Sequence, residues 1–158
     1  MQYLLAKNYP HLSVTVVVPK EAYIDTHVSW ILRESQFDIP ESDLILLLDT
    51  SLLDRTALPP DKYPQIDTVI SIDHHEPQPE SLQGYRDIEV ASTTVILTDI
   101  ARCLDWSITP DAATALLLGI YTDTGGFIHR NSNQRAFETA GFLLSQGADQ
   151  HRITQEAF

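Results

Sequence analysis

Two near-continuous apolar runs, LILLLD at residues 44–49 and TVISID at residues 68–73, constrain this chain more than anything else in it. Each is short and aliphatic, shows no regular apolar–polar alternation, and stops at an acid. Strands apolar on both faces must be covered on both faces, which is the situation of parallel strands in a sheet flanked by helices. The rest of the chain agrees. Residues 2–8 read as the end of a helix, 14–18 (VTVVV) as a strand and 26–34 as a helix, so strands and helices alternate as βαβ units do. From residue 92 the pattern turns helical. One helix is expected over 92–104, and a second has Thr109 as cap and Pro110 in its first position and runs towards Tyr121. A third is expected over 134–146, stopped by Gly147. Residues 59–64 (PPDKYP) read as a loop, and no repeat, low-complexity tract or linker divides the sequence. At 158 residues the chain is expected to form a single domain over 1–158. The fold class is therefore α/β, a mostly parallel β-sheet flanked by helices with a helical C-terminal part.

Composition excludes several classes of function. A formal net charge of −12 speaks against a broad face for duplex nucleic acid, because phosphate contacts need clustered Lys and Arg. No apolar run approaches the roughly 20 residues of a membrane helix, and residues 12–18 read as a strand rather than a leader, so a cytoplasmic protein with no membrane partner is expected. The one cysteine, Cys103, leaves no internal disulfide and no thiolate metal site, and its helical context predicts a small core residue.

The two acids that end the apolar runs carry the chemistry. Ligands of open α/β sheets bind beyond the carboxyl ends of parallel strands, and Asp49 and Asp73 are both delivered to that end. His74 and His75 follow Asp73 directly. A third acid, Asp123, stands in GIYTDTGGF, where an apolar helix gives way to glycines that let a backbone approach a ligand closely. Each feature alone has a plainer reading. Asp49 before Thr50 and Ser51 could cap a helix starting near Leu52, a His-His pair in a loop is commonly solvated, and residues 123–126 could be only a helix-ending turn. Together they converge: two carboxylates and two imidazoles in one crevice repel or titrate one another unless a cation holds them, and mixed oxygen and nitrogen donors suit Mn²⁺ or Mg²⁺.

Asp73-His74-His75 after a strand, Asp49 at the end of the preceding one, Ala91-Ser92-Thr93, and GIYTDTGGF followed by a helix ending in LLSQGAD resemble the DHH phosphoesterase superfamily. Within it the likeness is closest to the oligoribonuclease and pAp-phosphatase branch. The resemblance runs from about Val14 to Ile153. It implies a parallel sheet with flanking helices, two divalent ions, usually Mn²⁺ with Mg²⁺ as a substitute, and hydrolysis of phosphoester or phosphoanhydride bonds. The substrates it implies are short single-stranded oligoribonucleotides or 3'-phosphoadenosine 5'-phosphate. By residue, it assigns Asp49 to the acid bridging the two ions, His74 and Asp123 to ligands of one of them, and His75 to the substrate phosphate. Asp73 is expected behind His74, orienting that ring through its other nitrogen. His129 and Arg130, just past the glycines, are candidates for a phosphate or nucleobase, set against the plainer reading of a solvated loop. His11, His27 and His151 read as surface residues, and Trp30, Trp106 and Phe142 as core rather than stacking platforms.

The sequence also departs from the family. The strand ending in a His-x-x-x-Asp-x-Asp-like motif, which supplies further ligands, is missing, and residues 1–20 resemble the helix after that motif. Asp25 with His27 lacks a second acid two residues on and is no substitute. The glycine-rich second domain of this branch is missing too. The expectation is a piece of a longer protein, holding one ion or inactive by itself. Inorganic pyrophosphatase is a less favoured activity. The alternatives from other classes are an accessory domain, as in tRNA nucleotidyltransferases, and a non-catalytic metal- or nucleotide-binding module; a homodimer is left open.

Overall fold

The computed structural model describes residues 1–17, 35–36, 44–56 and 69–156. The expected helix at 26–34, the loop at 59–64, Asp25, His27 and Trp30 lie outside them. In chain order the described elements are α1 (Gln2–Asn8), β1 (Val16–Val17), β2 (Ser35–Gln36), β3 (Ile45–Leu48), β4 (Val69–Asp73), β5 (Gly84–Arg86), α2 (Thr93–Cys103), α3 (Pro110–Thr124), α4 (Gln134–Ser145) and α5 (Gln150–Glu156). A short 3₁₀ turn, Leu53–Arg55, follows β3.

All described strand pairings are parallel. β1 pairs with β2, while β3, β4 and β5 form a three-stranded sheet in that order. β3 and β4 run in register from Ile45 opposite Val69 to Leu48 opposite Ile72, so Asp49 and Asp73 emerge level with one another. This is the α/β arrangement that the two apolar runs require. β5 was not foreseen: its GYR sequence has no apolar pattern, and it is placed by backbone pairing instead. Gly84 is essential to that approach, since a Cβ there would strike the Ser71 carbonyl.

Three helices start on side-chain caps, Thr109 being the one expected from the sequence. The Ser92 hydroxyl accepts from the Thr94 N–H, Thr109 from Ala112 ahead of Pro110, and the Asn133 side chain from Ala136. α3 runs three residues beyond the expected Tyr121 and ends at Gly125, whose φ of 57° is the left-handed conformation glycine accepts freely. α2 and α3 approach closely because Gly119 faces Thr94, and a Cβ at 119 would meet that side chain. Ile72, Val95, Ile96, Leu117, Ile120, Leu143 and Ile153 share one buried core with Leu4 of α1. Trp106 and Phe142 pack against it, as expected of core aromatics. Cys103 corrects the expectation: it is exposed. The inward face of α2 is carried by Val95, Ile96, Leu97, Thr98 and Ala101, and the helix leaves the core at its last turn. Arg135 ties α4 to the layer beside it, its guanidinium meeting Asp99 of α2 and Asp87 after β5, each at 2.7 Å. Among the described residues no helix is long and apolar enough to cross a membrane.

Candidate metal centre

The site is assembled from two strand ends and one helix end. Asp49 stands just past β3, its N–H donating to the Ile72 carbonyl at 3.0 Å, and its φ of 64° turns the chain sharply there. Asp73 closes β4, and His74 and His75 continue from it. Asp123 lies in the last turn of α3. These residues meet. His74 Nε2 is 3.5 Å from Asp49 Oδ1 and 3.8 Å from Asp123 Oδ2. Donor atoms of Asp49, His74 and His75 lie within 4.8 Å of one another. The alternative role for Asp49 is not what the structure shows: Thr50, not Asp49, accepts from the Leu52 N–H.

Their spacing suits a shared cation. A charged hydrogen bond would draw nitrogen and oxygen to about 2.7–2.9 Å. Donors around an ion at about 2.1 Å stand roughly 3.0–3.4 Å apart. The observed gaps are nearer the second range. His74 turns Nε2 to the acids because Nδ1 faces the Val90 carbonyl at 3.4 Å, the kind of support that orients metal-binding imidazoles. Burial pushes the Asp123 carboxyl above the usual carboxylate range and the nearby Asp49 charge pushes it further, against the opposing pull of His74 and His75.

Asp73 does not orient His74, as the family pattern had implied. Its carboxylate accepts from His75 Nδ1 at 2.7 Å and from the N–H groups of His74 and His75 at 2.9 and 3.2 Å. The reason is a local turn: the Asp73 carboxylate folds back to accept from the two N–H groups that follow it and from the His75 ring, while His74 takes its orientation from the Val90 carbonyl and its ring lies 4.4 Å from that of His75. Burial alone would raise the Asp73 carboxyl, but the hydrogen bonds from His75 and Ser51 and the His75 charge outweigh it and hold it below the usual range.

The remaining candidates are less central. His129 turns Nδ1 to the Asp123 main-chain carbonyl at 3.3 Å and packs its ring over Gly125, while Arg130 is exposed. His11 and His151 are exposed, as expected. Three supporting groups were not foreseen: the Val90 carbonyl, the Asn131 amide donating to the Asp123 carbonyl at 3.0 Å, and the Thr93 hydroxyl donating to Asp49 Oδ1 at 2.7 Å. Each depends on tertiary placement, although Thr93 lies in a segment that carried the family resemblance. A cavity of about 260 Å³ opens beside the acids, bounded by Asp49, Asp123 and Thr122 on its polar side and by Leu48, Leu97 and Leu116 on the other. Thr50, Ser51, Arg55, Gln78 and Ser81 line a small recess of about 10 Å³ beside His75.

No protein-family model matches the chain. It is 26% identical to a probable bifunctional oligoribonuclease and PAP phosphatase of Streptococcus mutans over 92% of its own length and 46% of that protein's. To the bifunctional oligoribonuclease and PAP phosphatase of Mycoplasma pneumoniae it is 27% identical, over 97% of the chain and 49% of the relative. A crystal structure of an exopolyphosphatase-related protein from Bacteroides fragilis superposes with a TM-score of 0.76 at 25% identity, over 92% of this chain and 47% of that one. The chain thus spans about half the length of the curated relatives it matches. Likeness along nearly all of this sequence, a shared fold, and Asp49, His74 and Asp123 gathered at the strand ends together support a DHH phosphoesterase.

Proposed function

We propose that this chain is the metal-binding part of a phosphoesterase that hydrolyses phosphodiester bonds of short single-stranded oligoribonucleotides or the 3'-phosphate of 3'-phosphoadenosine 5'-phosphate. The observation that carries this reading is the meeting of Asp49, His74 and Asp123 around a point at cation spacing, with His75 beside it, in a chain whose relatives are named for those two activities. The cation is Mn²⁺, with Mg²⁺ as substitute, and the donor set of carboxylates and imidazole supports that choice over a thiol-seeking metal. Among the described residues the one group of three such donors that falls within 4.8 Å is Asp49, His74 and His75, and Asp123 joins it through His74 Nε2 at 3.8 Å. The compartment on this reading is the cytoplasm.

A bound divalent cation supplies Lewis acidity, bringing a water's pKa towards neutrality and offsetting charge on phosphoryl oxygens. Asp49, His74 and Asp123 are the residues that would hold it. His75 faces the substrate: Asp73 accepts its Nδ1–H, which leaves Nε2 towards the substrate; with both nitrogens protonated the ring donates Nε2–H to a phosphate oxygen or hands that proton to the departing oxygen, and it keeps Nδ1–H on Asp73 afterwards. Asp73, buried and held ionised, faces the doubly protonated ring before transfer and holds the ring by its Nδ1–H after it.

The test is Mn²⁺ titration calorimetry on residues 1–158 with His74→Ala and Asp123→Ala as controls, alongside hydrolysis of a ribodinucleotide and of 3'-phosphoadenosine 5'-phosphate by the full natural polypeptide. Saturable binding that weakens at least about tenfold in both variants, with Mn²⁺-dependent cleavage, is expected. Equal binding by all three proteins would remove the ligand assignment.

A further inference from the structure

We propose that Thr93 is a positioning residue that fixes the Asp49 carboxylate for the cation, an inference that rests on the metal reading above. Asp49 is poorly constrained by its own backbone and surroundings. Its φ of 64° is a conformation that side-chain-bearing residues seldom adopt, and its side chain is 54% exposed, so the carboxylate would otherwise be free to turn into solvent. The backbone is pinned by the N–H donated to Ile72, but nothing in that bond sets the side chain. Thr93 does, through the 2.7 Å hydrogen bond from its hydroxyl to Oδ1, the same oxygen that stands 3.5 Å from His74 Nε2.

The hydroxyl is itself well placed to act as a fixed reference. Thr93 is 4% exposed and begins α2 directly after the Ser92 cap, and its β-branched side chain has few rotamers to choose from. Its bond is also unlike those of three other buried threonines. Thr98, Thr114 and Thr124 each donate to the carbonyl four residues earlier, the usual local outlet of a helical threonine. Thr93, in the first helical position, has no such intrahelical carbonyl behind it and donates across the fold to a residue 44 positions away. A neutral donor is the right chemistry for this place. It occupies one acceptor direction of the carboxylate, leaves the others open to a cation, and brings no positive charge to compete with one. Groups that support metal ligands in this way commonly change affinity by about 10- to 100-fold when removed.

Thr93→Val keeps the shape and deletes the hydroxyl; Thr93→Ser keeps the hydroxyl and deletes the methyl. Mn²⁺ titration calorimetry on the wild-type chain and both variants is expected to show affinity about tenfold weaker or worse for Val and within about threefold of wild type for Ser. Melting temperatures taken with and without Mn²⁺ give the second reading. The metal-induced rise should shrink in Thr93→Val while the metal-free value stays near wild type. Wild-type affinity in Thr93→Val would overturn the proposal and leave the metal reading standing. So would a metal-free melting temperature that falls enough to account for the loss, because the role would then be structural. Absence of Mn²⁺ binding in the wild type overturns both.

Discussion

At the scale of single residues, the centre is a set of acids held in unequal states. Asp123 is raised because burial penalises its charge and Asp49 adds repulsion. A carboxyl raised in the folded state binds protons that the unfolded chain has already released. Metal-free stability is therefore lost as pH climbs from the unfolded value of 3.8 through the higher folded one. Asp123→Asn removes that charge, and is expected to raise the metal-free melting temperature at pH 7 while weakening Mn²⁺ binding, a divergence readable by calorimetry on one pair of samples. Asp73 behaves in the opposite sense. Its lowered carboxyl contributes stability above 3.8 that is lost as pH falls through the folded value. Replacing it with Asn disturbs an acceptor for three N–H groups in a side chain that is 2% exposed. A cost of about 1 to 3 kcal/mol in urea denaturation is expected.

At the scale of elements, what could be read from the sequence was what depends on neighbours along the chain. The caps Ser92, Thr109 and Asn133 are local signals, and the helices they open match expectation to within a few residues at either end. The strands at 45–48 and 69–73 declared themselves by continuous apolar content. β5 and α5 did not, because Gly84–Arg86 is placed by its partner β4 and Gln150–Glu156 is short and polar. The same division runs through the centre. The strand-end and helix-end places of Asp49, His74 and Asp123 are visible along the chain, whereas the Val90 carbonyl and Asn131 amide behind them are brought in by the tertiary fold. Asp73 serves His75 rather than His74 because its carboxylate turns back over the chain that follows it, a choice no neighbouring residue type announces. The α3 terminus makes its own prediction. Gly125 is left-handed, and a Cβ there would strike the His129 ring. Gly125→Ala is expected to cost about 1 to 2 kcal/mol from backbone strain alone and more if the ring cannot move, measured as a shift in denaturation midpoint.

At the scale of the whole molecule, the sheet and the helices meet at the centre from different directions, and Arg135 fastens the outer helix to the same side of the fold through Asp87 and Asp99. Saturating Mn²⁺ is expected to stabilise the chain as a whole by about 2.7 kcal/mol at a hundredfold excess over Kd, a gain that EDTA abolishes. The positions of Asp49 and Asp123 give that gain a particular character. Strand end and helix end are separated by roughly seventy residues of chain, so an ion gripped by both would act as a removable cross-link closing a long loop, and clips over long loops restrict the unfolded chain most. Stripping the ion then resembles cutting a tether, loosening β3 against α3 before any strand separates.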